Sequence, residues 1–195
     1  MTSKHVIRPS TQAAIIEAAV QVLNKNPQAS ISEVALKAGV GRATLHRHYS
    51  SRDALIDAIS IDCIEEMNAA VLAAMQPETD LHAQLQALFR VTIAMGDRFN
   101  FLQQVPSENP AVRKRYAQQL KWLQQLVDRL QQAGLVRNDL PGSWVIAQID
   151  QLVWTAWREV SAGRLVGEDA AVLALNTLLN GVGEVNHKKE TINEN

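Results

Sequence analysis

Apolar positions recur along this chain at steps of three and four, and strict alternation is absent, so the pattern predicts helices throughout. Ser10–Asn24 carries an apolar stripe of Ile15, Ala18, Ala19, Val22 and Leu23, followed by a turn containing Pro27. From Ser30, the residues Ile31, Val34, Ala35 and Ala38 fall at i, i+3, i+4 and i+7. Ser30 with Glu33 three residues on is a capping box that fixes the start of this second helix. Gly39 supplies the left-handed conformation that ends it. Gly41 then opens a third helix, in which Leu45 and Tyr49 share one face and Arg42, Thr44, His46, Arg47 and His48 occupy the others. A short helix, a glycine turn and a second helix with a basic exposed face make a helix-turn-helix.

Ser50 and Ser51 cap a longer helix carrying Leu55, Ile56, Ile59, Cys63, Met67, Val71 and Met75. It extends for roughly 36 Å at about 1.5 Å per residue, up to a break at Gln76–Asp80. Leu81–Phe101 reads as the next helix, with an interruption near Gly96, and 105–110 as a loop with two prolines. Ala111–Ala133 is a long helix ended by Gly134. Ser143–Ala162 is apolar on two adjoining faces, one through Val145, Ile149, Leu152 and Ala156, the other through Ile146, Val153, Trp157 and Val160. With 168–182 it predicts a pair of helices that either meet their symmetry mates in a four-helix dimer interface or complete a larger monomer core. The interface candidates are Ile149, Leu152, Val153, Ala156, Leu175, Leu178 and Leu179.

The expected fold is therefore all-α. Its segments are a helix-turn-helix domain over 1–52, a connecting helix over 53–75, a C-terminal helical domain over 76–186 that carries the candidate dimer interface, and a disordered tail over 187–195. Met1–Pro9 is expected to be a loose arm.

Charge sharpens this division. The 195 residues carry a formal net charge of −1, yet residues 1–52 hold seven Lys/Arg against two acids, a balance of +5, and the remainder a balance of −6. A basic head on an acidic body suits a chain that touches nucleic acid at one end. The single cysteine, Cys63, excludes an intrachain disulfide and a cysteine metal site. No apolar run is long enough for a membrane span and no signal-peptide pattern is present, so a cytoplasmic protein is expected.

The candidate chemistry lies in Arg42–Arg52. Arg42 can fork onto guanine O6 and N7 or sit on a phosphate, and Thr44 can reach a phosphate or a thymine methyl. Arg47 is assigned to a base edge, His46 and His48 to phosphates, and Arg52, opening the connecting helix, to a further phosphate. His46 and His48, two residues apart on a helix, diverge and do not form a metal pair. Neither a cofactor nor a catalytic constellation is indicated: there is no phosphate loop, nucleophile elbow or HExxH. Asp150 and Arg158, eight residues apart, either pair across a dimer axis or face water.

The run V34-A35-x-x-A38-G39-V40-G41-x-x-T44-L45-x-x-H48-Y49-x-S51-R52-x-x-L55 resembles the signature of the TetR/AcrR family of transcriptional regulators. The resemblance covers about the first 60 residues. Gly41, Ala43, His46 and His48 depart from the side chains usual there. It implies a homodimer that binds a palindromic operator on double-stranded DNA, usually as a repressor, and is released by a small ligand in the C-terminal domain. Phe89, Phe99, Trp122 and Trp154 are the candidates to line that ligand cavity. The alternative from another class is an all-helical protein-interaction module that does not bind DNA.

Overall fold

The computed structural model describes residues 10–182. Among them the chain forms nine α-helices and no strand: α1 (Thr11–Lys25), α2 (Ile31–Ala38), α3 (Arg42–His48), α4 (Arg52–Met75), α5 (Leu81–Ala94), α6 (Gly96–Gln104), α7 (Pro110–Gln132), α8 (Gly142–Ser161) and α9 (Gly167–Val182). The expected arm at 1–9 and tail at 187–195 lie outside the described residues.

Local chemistry sets the starts and stops. Ser10 Oγ accepts the Ala13 amide at 3.1 Å and opens α1. At α2 the capping box closes in both directions: Ser30 Oγ accepts the Glu33 amide at 3.3 Å, and the Glu33 carboxylate accepts the Ser30 amide at 2.7 Å. The Ser30 amide, and after it the Ser30 hydroxyl donating to the same carboxylate at 2.8 Å, hold the Glu33 carboxyl below its ordinary range. Gly39 ends α2 at φ +69°, a conformation that costs a residue with a Cβ about 1–2 kcal/mol. Gly41 precedes α3 and provides no side-chain cap. The Leu81–Phe101 pattern resolves into two helices, because Met95 leaves helical geometry at φ −92°, ψ 21°.

The described residues pack as two compact units, one of 10–74 and 94–119, the other of 75–93 and 120–182. This division differs from a cut at 52 and 76. In the first unit α1 packs on α2 and on α6. Its core gathers Ile15, Ala19, Leu23, Val34 and Leu45 with Leu55, Ile59 and Cys63 of α4, and also with Phe101 and Val105. Phe101 is fully buried there, so α6 is part of what holds the helix-turn-helix in shape. Burying a phenylalanine stabilises by about 1.5–3 kcal/mol, which no surface contact of α6 would match.

Ion pairs and hydrogen bonds reinforce the same unit. Arg98 of α6 reaches Glu66 of α4 at 2.5 Å and Glu17 of α1 at 3.2 Å. The Asn24 amide donates to the Asp97 carbonyl at 2.8 Å. Asp57 accepts from Ser107 Oγ at 2.5 Å and from Asn109 Nδ2 at 2.8 Å.

In the second unit α8 packs along α9. Ala170, Ala171 and Ala174 are buried on α9, small side chains that permit a close approach. The Gln131 amide donates to the carbonyls of Arg137 and Leu140, both at 2.9 Å, and so fixes the turn after α7.

Candidate nucleic-acid interface

The reading helix α3 is short and held from below. Leu45 is fully buried and Tyr49 nearly so, while Arg42, His46, Arg47 and His48 are exposed and Thr44 is half-buried. The Arg47 guanidinium donates to Thr44 Oγ1 at 3.2 Å, which orients it along the helix surface. The His48 ring lies 6.2 Å from that of Tyr49. Five of the six residues expected to touch DNA therefore sit on one helix, four of them exposed. Lys37, in the last turn of α2, is also exposed and adds a charge that periodicity did not single out.

Arg52 is placed differently from the sequence expectation. Its Nε donates to the Ala29 carbonyl at 3.3 Å and its Nη2 to the Pro27 carbonyl. The guanidinium braces the α1–α2 turn, two carbonyls that no helix satisfies, and this occupies donors that were assigned to a phosphate.

The interface candidates on α8 and α9 also need correction. Ile149, Val153, Ala156, Leu175 and Leu178 are buried within their own chain and offer no surface to a partner; only Leu152 and Leu179 remain half-buried. The exposed faces carry other residues, namely Trp144, Ala147, Gln151 and Thr155 on α8 and Val172, Leu173, Asn176 and Thr177 on α9. The charges on those faces lie at helix ends: Arg158 near the end of α8, and Glu168 and Asp169 in the first turn of α9.

The four aromatic cavity candidates do not form one set. Phe99 belongs to the first unit and Phe89, Trp122 and Trp154 to the second. Phe89 is fully buried, as core residues are, whereas Trp122 and Trp154 are half-buried. A cleft of about 500 Å³ opens in the first unit between the α1–α2 turn, the start of α4 and residues 104–109, and none of the four lines it. Cys63 is buried, which pushes its thiol up to about 12 and leaves it protonated and unreactive at neutral pH. Among the described residues no group of three His, Cys, Asp or Glu is arranged to hold a metal ion.

A helix-turn-helix with a solvent-facing basic second helix, followed by an all-helical body, is an arrangement that can present a helix to a DNA groove. Residues 15–59 match the family model described as bacterial regulatory proteins, tetR family. Those residues are thus similar to the DNA-binding domain of that family, and the described helices have the fold of a TetR family regulator. It is 33% identical over 100 residues to the HTH-type transcriptional repressor LfrR of Mycolicibacterium smegmatis, 51% of this chain and 53% of that protein. The match thus spans about half the length of that relative. Over 141 residues it is 25% identical to the nucleoid occlusion factor SlmA of Marinobacter nauticus, 68% of this chain and 72% of that one. Among solved structures, a TetR family transcription regulator from Marinobacter aquaeolei superposes with a TM-score of 0.73 at 21% identity, over 90% of this chain and 96% of that one. LfrR from Mycobacterium smegmatis, crystallised with proflavine, gives the same TM-score at 22% identity, over 90% and 98%.

Proposed function

We propose that this protein is a dimeric, ligand-released transcriptional repressor that reads a palindromic operator with α3. The observation that carries the reading is the separation of duties on that helix. Leu45, with Tyr49 just past its end, fixes it to the core, while Arg42, His46, Arg47 and His48 project from a rigid base into solvent. Preorganised cations on a helix can enter a major groove without the ordering cost that a mobile loop would incur. Dimerisation would use the exposed faces of α8 and α9, whose charges are confined to helix ends, and two reading heads would then bind half-sites about 34 Å apart, one turn of DNA, or a multiple of it. A small-molecule effector is supported by the proflavine complex of LfrR, and residues 76–186 are its proposed seat. No described helix is long and apolar enough to cross a membrane, which accords with a cytoplasmic site of action on DNA.

The test is an electrophoretic shift with the DNA upstream of the protein's own gene. Arg47→Ala should weaken operator binding roughly tenfold to a hundredfold, the value of one good base contact. Its melting temperature and dimer state should not move. Affinity of the parent protein should fall steeply with salt as phosphate contacts release counterions. Undiminished binding by Arg47→Ala, or a flat salt response, removes α3 as the reading element.

A further inference from the structure

The stripe beside the buried face of α8 is not ordinary core. At steps of four, four and three it reads Ile146, Asp150, Trp154 and Trp157, within about 80° of arc on a helix of 3.6 residues per turn. Ile146 is buried, while the acid and the two tryptophans are half-buried. The two indoles are in contact, with ring centroids 5.2 Å apart and planes at 38°. Asp150 has no hydrogen-bond or ion-pair partner among the described residues, and burial alone pushes its carboxyl up to about 6. Partly stripping a carboxylate of water with nothing to pair it is costly. Had this stripe served packing alone, an apolar side chain would fill the position better.

These groups share one chemistry. A carboxylate lowers the energy of a cation by charge, and an indole face does so through its quadrupole, worth about 0.5–2 kcal/mol per contact. Flat rings beside the charge favour an organic cation with aromatic surface over an ammonium ion. An anionic ligand would meet the Asp150 charge, and a metal ion would find a single oxygen donor group where two or more are needed. We propose that Asp150, Trp154 and Trp157 form the recognition edge of a site for an aromatic organic cation. The proposal rests on the ligand-release reading above and names the class of effector.

The probe is ethidium, a planar phenanthridinium cation, titrated into the full-length protein without DNA and followed by the dye's fluorescence and anisotropy. Phenanthridine, the same ring system uncharged at pH 7.5, is the control, followed by its displacement of ethidium. Saturable ethidium binding is expected. Asp150→Asn should weaken it at least tenfold while changing phenanthridine binding less than threefold. Asp150→Glu, which keeps the charge, should retain ethidium binding within about threefold. Trp154→Leu should weaken both ligands. The proposal is overturned by absent or unsaturable ethidium binding, or by equal losses for both ligands in Asp150→Asn. Dissociation of the dimer in Asp150→Asn would also overturn it, since the acid would then belong to a subunit contact. The operator shift is scored separately. Operator binding without ethidium binding sinks the cation site alone, and ethidium binding without operator binding sinks the regulator reading alone.

Discussion

The reading helix and the stripe on α8 solve opposite problems. On α3 the groups assigned to DNA stand in solvent, and the residues that hold the helix, Leu45 and Tyr49, carry none of the recognition chemistry. On α8 the groups assigned to a ligand are half-buried and lie beside Val145, Ile149 and Val153, which hold that helix in place. Recognition and stability are therefore separable in the first unit and entangled in the second. A surface substitution on α3 should change binding alone, whereas a substitution on the α8 stripe should change both.

The largest effect expected from this contrast is on the frame. Phe101→Ala should destabilise the first unit by about 3–5 kcal/mol, the cost of the lost contacts and the cavity left behind. A chemical denaturation curve whose unfolding free energy falls by less than 1 kcal/mol would show that α6 is peripheral to the reading head. Next comes the unpaired acid. The folded carboxyl of Asp150 sits at about 6 against an ordinary 3.8. Between those two values the native state binds more protons than the unfolded chain, so stability falls as pH rises through that window. Asp150→Asn should therefore raise the melting temperature at pH 7 and barely alter it near pH 4, with about 3 kcal/mol as the upper bound for the gap. A gap that is constant with pH would mean that the carboxylate is paired in solution.

How much of this was legible in the sequence follows from the range of each interaction. The cap at Ser30, the Gly39 stop and the solvent face of α3 depend on neighbours within a few residues, and the sequence displays them directly. The ties of Arg98 to Glu17 and Glu66 span 81 and 32 residues. Nothing local marks them, and α6 was accordingly assigned to the body. Arg52 was misplaced for the same reason, because the turn carbonyls it braces lie 23 and 25 residues upstream. The α8 and α9 interface residues failed on a different ground. Helical periodicity reports which side chains avoid water, and a side chain covered by its own chain gives the same signal as one covered by a partner. Only the opposite faces, exposed yet with charge confined to the helix ends, distinguish the two.

The smallest effect tests the separation inside the first unit. Ser30→Ala removes a hydroxyl that accepts the Glu33 amide and donates to the Glu33 carboxylate. Losing an N-cap of this kind costs about 1 kcal/mol. The Glu33 carboxyl, whose pKa is lowered chiefly by the Ser30 amide, keeps that larger contribution in the variant and loses only the hydroxyl's. Because its folded pKa is depressed, the contribution of Glu33 is present above 4.5 and is lost as pH falls through the folded value. Thermal unfolding of Ser30→Ala should accordingly show a lower midpoint at pH 7, with the difference from the parent protein shrinking in acid. Operator affinity should stay within threefold at neutral pH, since α3 and its Leu45 anchor are untouched. A tenfold loss of affinity in a protein that remains folded would mean that the α2 cap sets the orientation of α3, and the head could then no longer be divided into a frame and a reading face.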